Sequence, residues 1–344
     1  MNLSDKVKGV LLNLYIKFFN HEKVQQSLHY SIQLSKQNLG CITNTPAPYK
    51  EITTNISTEQ STSERDDIVF ITSRFRSGST VLWNIFRNID GCTSYYEPFN
   101  ERRWFDKNTR GNHVDSTHIG VNDYSKEYDE LDYLDKYYNE DWIRESLFMD
   151  AKTWAPNMKS YICELIKKAN GRPILQFNRI DFRLPWLKHH FPNAKFIHLY
   201  RHPRDQWLSF LTDKKLMNKD YVEHNYIDGF YLNTWCNDLA KHFPFLDQRT
   251  TPHPYQRFYY IWKLSYLYGI KGCNQSLNLE QLTLEPKSTL QKLFSELSID
   301  NKSLAKAASV IQKPSLNKWK QYADNEWFEK LEQECEQNLN SFLM

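Results

Sequence analysis

Two arginine-containing segments hold residue types that bind anions, and each follows an apolar run typical of a buried strand. The first, Ser73–Thr80 (SRFRSGST), follows IVFI and contains Arg74 and Arg76; the second, Arg201–Asp205 (RHPRD), follows KFIHLY. Apolar residues recur at helical spacing after each segment, which predicts two strand–loop–helix turns. Such turns direct unpaired backbone N–H groups and the positive end of a helix dipole at one place. Since parallel strands end at the same edge of a sheet, we expect one ligand with two anionic groups there.

The first loop is close to the phosphate loop GxxxxGK[ST] of nucleotide-binding enzymes but lacks its lysine. Gly78 and Thr80 fill the second glycine and the last position, whereas Ser73 and Ser79 replace the first glycine and the lysine. Because that lysine normally reaches the β- and γ-phosphates, an ordinary ATPase or GTPase is disfavoured. The basic residue lies instead at Arg76, before the glycine. A phosphoryl-transfer enzyme with an unusual loop remains an alternative.

A carboxylate is expected beside the same anion site. Glu97 lies in the sequence YYEPF after the first helix, where a second strand would bring it back to the same edge of the sheet. A carboxylate beside a phosphate pocket is repelled by the ligand, so its presence there requires an explanation. General-base catalysis on an incoming hydroxyl is one such explanation. The alternative is a structural ion pair of Glu97 with Arg102 or Arg103.

Taken together, these segments resemble sulfotransferases that use 3′-phosphoadenosine-5′-phosphosulfate (PAPS). RSGST resembles their 5′-phosphosulfate loop, and KFIHLYRHPRDQWLSF resembles their 3′-phosphate-binding strand and helix. An arginine in the first loop and the later Tyr-Glu-Pro are closer to the carbohydrate and bacterial branches than to the cytosolic phenol and steroid branch. The resemblance implies that PAPS is bound by Arg76, Ser77, Gly78, Ser79, Thr80, Arg201 and Ser209.

The resemblance also implies a fold and a reaction. The fold would be α/β and P-loop-like, with a central parallel sheet flanked by helices and a helix-rich lid and C-terminal region. The reaction would be metal-independent, in-line transfer of a sulfuryl group from PAPS to the hydroxyl of a small-molecule or carbohydrate acceptor, releasing 3′-phosphoadenosine-5′-phosphate (PAP). Arg76 and Glu97 would be catalytic, Arg76 at the leaving group and Glu97 as the base, with Arg179 a further candidate at the sulfonate or the acceptor. A non-catalytic adenine-nucleotide-binding module is the other alternative.

Shifts in composition divide the chain into three predicted parts. Residues 1–42 contain an amphipathic helical segment, 43–66 form a polar linker, and 67–344 form the sulfotransferase-like domain. Within that domain, residues 100–171 are predicted to form a lid over the acceptor. The first part of this segment is polar and aromatic without a clean period, and Tyr128–Lys168 indicates two or more helices. The apolar pattern of Val7–Phe19 predicts a helix packed on the domain, with contact to a membrane surface as the alternative.

The overall composition limits which kinds of partner and which cellular compartment are expected for this protein. A net charge of +3 over 344 residues is too small to indicate a nucleic-acid partner. The six cysteines are scattered, with no CxxC pair and no Cys/His spacing typical of a metal site. Buried thiols in a reducing, cytoplasmic compartment are therefore predicted. No apolar run approaches the roughly 20 residues that span a bilayer, and no signal peptide is expected.

Two C-terminal segments have counterparts in the family, with departures. SLNLEQL at 276–282 lies where the family usually has a strand ending in Tyr-Glu-Asp-Leu, but the tyrosine and aspartate are missing here. SLNKWK at 315–320 resembles the late loop that closes over the nucleotide. Lys318 or Lys320 would then contact the 3′-phosphate or remain solvated. Trp319 is expected in the core, with stacking on adenine as the alternative.

Overall fold

The computed structural model describes the following residues: 3–21, 23–25, 27–28, 61–312 and 316–343. Most of the predicted linker 43–66, up to residue 60, and Ser315 of the predicted late loop lie outside these residues. By its internal contacts the chain divides into two units, Met1–Asn55 with Lys152–Ala155, and Ile56–Ala151 with Pro156–Met344.

Helix α1, Leu3–Phe19, belongs to the first unit and covers the predicted N-terminal helix. Its apolar side chains are exposed: Val10, Leu11, Leu12 and Phe18 each have 60% of their surface accessible. Among the described residues, no helix combines the length and the apolar character needed to cross a bilayer.

The second unit is built on a five-stranded sheet. Its strands are β1 (Val69–Ser73), β2 (Cys92–Tyr96), β3 (Arg172–Phe177), β4 (Lys195–Tyr200) and β5 (Gln275–Asn278). Their order is β2–β3–β1–β4–β5, and all neighbours are parallel; Val69 aligns with Ile174 of β3 and with Lys195 of β4. After β1 the chain crosses to one side of the sheet, towards β2, and after β4 it crosses to the other side, to β5. This reversal places a ligand crevice at the carboxyl ends of β1 and β4. The predicted α/β architecture with a central parallel sheet is confirmed.

Every residue of the central strand β1 is buried, as its apolar and β-branched composition predicts for a strand covered on both faces. Because side chains alternate along a strand, Val69 and Ile71 share one face and Phe70 lies on the other. Val69 and Ile71 join an aliphatic core. Phe70 contacts the rings of Phe177, Phe191 and Phe196.

Helices fill the connections between the strands and the C-terminal region. They are α2 (Ser79–Arg87), α3 (Pro156–Lys168), α4 (Leu184–His190), α5 (Pro203–Phe210), α6 (Val222–Asn225), α7 (Leu232–Leu239), α8 (Pro254–Gly272), α9 (Leu279–Leu284), α10 (Pro286–Glu296), α11 (Leu304–Ser309) and α12 (Asn325–Leu343). The predicted lid between β2 and β3 contains α3 and short 3₁₀ helices at Lys126–Tyr128, Asp132–Lys136 and Glu140–Ile143. The rest of that segment is irregular, as its lack of a period predicted.

The predicted strand at 276–282 is wrong in its second half. β5 ends at Asn278, and α9 begins at Leu279. The Asn278 side chain caps this helix, because its Oδ1 accepts a hydrogen bond from the Gln281 N–H at 2.9 Å. Such a cap offers the backbone an alternative to the sheet ladder, and it ends the strand here.

Trp319 lies in the core, as expected, with 8% of its surface exposed. Its ring stacks on His202 at 6.3 Å and 6°, and the Arg204 guanidinium lies 4.8 Å from it. These contacts therefore do not support the alternative, in which Trp319 stacks on adenine. Lys318 and Lys320 are exposed.

Candidate active site

One cavity of about 520 Å³ lies where the strands end. After each strand a residue lines this cavity: Arg76 follows β1, Glu97 follows β2, Asn178 follows β3, Arg201 follows β4 and Leu279 follows β5. The parallel arrangement of the sheet thus brings together side chains that are far apart in the sequence.

The loop after β1 has the geometry of an anion-binding turn. Gly78 is the N-cap of α2 and has a φ of +91°, a left-handed conformation that glycine adopts without strain. A Cβ atom there would lie 2.5 Å from Leu279 Cδ1, so the position also has no room for a side chain. Ser79 and Thr80 occupy the first turn of the helix, where backbone N–H groups have no partner within the helix, and both line the cavity.

Two residues of the loop face the protein interior instead. Arg74 is buried, pairs with Asp181 at 3.2 Å, and lies 4.4 Å from the centre of the Trp235 ring. The expectation that Arg74 adds its charge to the anion site is therefore wrong. Ser77 is buried as well, and both its N–H and its hydroxyl donate to the Arg74 carbonyl, at 3.3 and 2.6 Å. Ser77 shapes the turn, and it is not among the residues that line the cavity.

The two arginine motifs meet at Arg76. The Arg76 Nε donates to Ser209 Oγ at 3.0 Å, and Arg201 Nη1 donates to the Arg76 carbonyl at 3.2 Å. On the cavity side, Arg76 Nη1 lies 3.6 Å from a carboxylate oxygen of Asp115. The guanidinium of Arg76 is thus available to an anion in the cavity.

Glu97 is buried at the cavity wall, with 4% of its surface exposed. Its Oε2 accepts from Asn100 Nδ2 at 2.7 Å, and its Oε1 accepts from Asn178 Nδ2. Burial raises the pKa of Glu97, although the positive charge of Arg179 and the hydrogen bond from Asn100 oppose the rise. A carboxyl group with a raised pKa is a stronger base than an exposed one.

The arginines near Glu97 in the sequence are engaged elsewhere. Arg102 donates to the carbonyls of Arg110 at 2.6 Å and His113 at 2.8 Å, and Arg103 pairs with Asp135 at 3.3 Å. The alternative of a structural ion pair between Glu97 and either arginine is therefore not observed.

Arg179, the further candidate, is buried below the cavity wall. Its guanidinium donates to the Phe99 carbonyl and to Glu101 Oε2, both at 3.0 Å. It is not among the residues that line the cavity, although Glu101 is. Arg179 consequently acts on the cavity through its charge on Glu97 and its contact with Glu101.

The segment between β2 and β3 contributes a histidine that the sequence did not single out for this site. His118 Nε2 is hydrogen-bonded to Thr80 Oγ1 at 3.2 Å, and its Nδ1 is bonded to the Tyr124 hydroxyl. Burial lowers the pKa of His118, so the ring is neutral near pH 7. The aromatic character of the predicted lid was the only signal in the sequence, and it indicated the segment rather than the residue.

Comparisons with known proteins identify the family of the chain. A family model described as "Sulfotransferase family" matches residues 68–261, more than half of the chain, including both arginine motifs and Glu97. The sulfotransferase domain of the olefin synthase of Synechococcus PCC 7002 is 17% identical, covering 80% of this chain and 94% of that domain, with a TM-score of 0.41. Sulfotransferase STF9 from Mycobacterium avium is 12% identical, covering 85% of this chain and 80% of that protein, with a TM-score of 0.46. No curated protein matches the chain. On the evidence of the family model, the chain belongs to the sulfotransferase family.

Proposed function

We propose that this sulfotransferase transfers the sulfuryl group of PAPS to an acceptor hydroxyl. The observation that supports the proposal is the convergence of Arg76, Ser209 and Arg201 on the cavity that also contains the Glu97 carboxylate. Two cationic groups side by side suit a ligand with two anionic ends. A buried carboxylate nearby suits removal of a proton from a hydroxyl.

The residues of the cavity fit such a donor. The N–H groups of Ser79 and Thr80 and the Arg76 guanidinium would hold the 5′-phosphosulfate, and Arg201 would hold the 3′-phosphate. Ser209 accepts from Arg76, so its own hydroxyl proton remains able to bond to the 3′-phosphate. The carboxylate of Asp115 already pairs with Arg76, which supports an anion at this position.

In the proposed reaction, PAPS supplies the sulfuryl group and leaves as PAP. Glu97 takes the proton of the acceptor hydroxyl, and Arg76 and the N–H groups at the start of α2 stabilise the charge that develops on the leaving phosphate. The attacking oxygen and the leaving oxygen would lie in line on opposite sides of the sulfur. The chain supplies the positive charge through Arg76 and Arg201, so the proposed step requires no metal ion.

The acceptor is proposed to be a small molecule or a carbohydrate. The cavity wall combines aromatic side chains, among them Trp104 and Tyr124, with the polar groups of Asn100 and Arg102. Such a mixed wall suits a compound with both hydroxyl groups and apolar faces.

A cytoplasmic location is part of the proposal. Among the described residues, Cys92, Cys236, Cys273 and Cys335 form no disulfide bond. Burial raises the pKa of the Cys236 and Cys273 thiols to about 12, so these two are unreactive thiols at neutral pH. Free thiols of this kind are typical of proteins in reducing compartments.

Binding of PAP, measured by isothermal titration calorimetry against 5′-AMP and ATP, tests the donor. We expect wild type to prefer PAP, and Arg201→Ala to weaken PAP binding by roughly tenfold or more, because a charge-assisted hydrogen bond to phosphate is lost. Arg249→Ala, which removes an arginine with 78% of its side chain exposed, is the matched control and should bind PAP normally. Equal or tighter binding of ATP would refute the proposal in favour of phosphoryl transfer.

A further inference from the structure

We propose that Asn100 and Asn178 are positioning residues that hold the carboxylate of Glu97 in place as the general base. The inference rests on the proposed function, since a base is needed only if a hydroxyl reacts in the cavity. Each oxygen of the Glu97 carboxylate has its own amide donor, Oε1 from Asn178 and Oε2 from Asn100. All three side chains are buried.

The orientation of the Asn178 amide is set by the central strands of the sheet. Gln176 Nε2 donates to Asn178 Oδ1 at 2.9 Å, and Ser73 Oγ donates to the same oxygen at 3.2 Å. Because these donors occupy Oδ1, only the Nδ2 group can face Glu97. Ser73 ends β1 and Gln176 lies in β3, so two rigid strands determine the direction of the donor.

The Asn100 amide is fixed by the turn that follows β2. The Arg102 N–H donates to Asn100 Oδ1 at 2.9 Å, which leaves Nδ2 for the carboxylate. The Asn100 N–H also donates to the Glu97 carbonyl at 2.9 Å. Glu97 has a φ of +38°, in the left-handed region that a residue with a Cβ seldom adopts. The turn therefore holds Glu97 in a strained conformation with its side chain aimed between the two amides.

Neutral donors suit a carboxylate that must accept a proton. A cation in direct contact would stabilise the ionised form and weaken the base, whereas no donor at all would leave a buried carboxyl protonated. Each carboxylate oxygen has two lone pairs, so the two amide bonds and the hydrogen bond from the Tyr96 hydroxyl still leave a lone pair for the hydroxyl of the acceptor. The Asn pair thus favours the ionised form of Glu97 and orients it without occupying the position of the substrate.

Two charged residues, from different segments of the chain, change the pKa of Glu97. Arg179, after β3, lowers the pKa of Glu97, and Glu101, from the turn after β2, raises it. The remaining ionisable neighbours are phenols whose own pKa values are raised by burial and which are neutral near pH 7: Tyr96, Tyr124 and Tyr128. A change in the titration of Glu97 in Asn100→Ala, which alters no charge, therefore reports the amide contact against a constant charged background.

The test measures the titration of Glu97 directly and needs no acceptor. Glutamate carboxyl carbons are labelled with ¹³C, and the Glu97 signal is identified by its loss in Glu97→Gln. Asn178→Asp keeps the shape of the side chain but replaces the donor with a second carboxylate, so the midpoint of the Glu97 titration should rise by about one pH unit or more. Asn100→Ala removes the other donor and should raise the midpoint too. Asn193→Asp, the same exchange at an exposed residue that precedes β4, should leave it unchanged.

An unchanged midpoint in Asn178→Asp and in Asn100→Ala, both folded by circular dichroism, overturns the proposal. If Asn178→Asp does not fold, Asn178→Ala removes the same donor, and it should also raise the midpoint of the Glu97 titration. PAP affinity, measured on Asn100→Ala, should stay within about twofold of wild type, because the Asn100 side chain bonds to Glu97 and to the Arg102 N–H rather than to the anion loop. A wild type that does not bind PAP would refute the proposed function, while the titration would still decide the role of the amides.

Discussion

Arg76 connects the two arginine motifs of the proposed donor site. It binds Ser209 through its side chain and Arg201 through its carbonyl, and its guanidinium faces Asp115 in the cavity. Because Asp115 is negatively charged, it competes with any anion that approaches Arg76. We therefore expect Asp115 to lower the affinity of the site for an anionic ligand, and removing its charge should reverse the effect.

We predict that Asp115→Asn strengthens PAP binding by roughly two- to fivefold. The effect is limited by solvent screening, since 23% of the Arg76 side chain and 43% of the Asp115 side chain are exposed. Calorimetry at low and high salt measures the change, which should shrink as ionic strength rises. Asp129→Asn removes a similarly exposed carboxylate, paired with Arg110, and is the control. Equal or weaker binding by Asp115→Asn would show that Asp115 does not compete with the ligand.

From the sequence, the residues of the candidate site that belong to motifs could be expected to lie together, whereas those that contact it through single hydrogen bonds could not. Arg76, Arg201 and Ser209 could be placed together because the ends of parallel strands meet at one edge. Asn100 and Asn178 could not be assigned, because an isolated amide has no distinctive pattern. The direction of its donor depends on which neighbour binds its oxygen, and that neighbour is known only from the structure.

Among the elements, apolar runs located the buried strands well. β4 coincides with the predicted Lys195–Tyr200, and β1, Val69–Ser73, begins one residue after the start of the predicted run IVFI and ends two residues beyond it. The prediction failed where a local polar contact decides the conformation, at Asn278, which ends β5 and caps α9. The lengths of the helices in the irregular lid could not be predicted from the sequence either, because the aromatic side chains of this segment pack without a regular period.

Glu332 on α12 joins three helices of the C-terminal region. Its carboxylate accepts from Arg204 of α5 at 2.8 and 2.7 Å and from the Tyr255 hydroxyl of α8 at 2.6 Å. The side chains of Arg204 and Glu332 are only 10% and 15% exposed. We predict that Glu332→Gln lowers the free energy of unfolding by roughly 3 kcal/mol, because it leaves a nearly buried guanidinium without its counter-charge.

Urea unfolding followed by tryptophan fluorescence measures this loss. Glu334→Gln is the matched control on the same helix, because Glu334 binds Gln256 at an exposed site. Its expected effect is below about 0.5 kcal/mol. If Glu332→Gln were as stable as this control, α12 would be held by apolar packing alone.

At the scale of the whole molecule, α1 and the residues of the proposed active site belong to different units of the chain. Arg65, inside the predicted linker, donates to the carbonyls of Ile166 at 3.2 Å and Gly171 at 3.0 Å, so it already belongs to the second unit. Every residue that lines the cavity belongs to this second unit as well. The exposed apolar residues of α1 therefore need an explanation other than the chemistry of the cavity.

We predict that a chain without residues 1–55 keeps its unfolding midpoint and its PAP affinity, because it retains the sheet and the whole cavity. The exposed apolar side chains of α1 suit the outer part of a bilayer, and Lys8 and Lys17 suit anionic head groups. The full chain is therefore expected to cosediment with vesicles of phosphatidylcholine and phosphatidylserine, and the shortened chain is not. Leu11→Glu in the full chain is the matched variant, and it should weaken vesicle binding while leaving PAP binding intact. Loss of PAP binding on shortening would mean that the first unit supports the site, and vesicle binding by the shortened chain would place the membrane contact on the second unit.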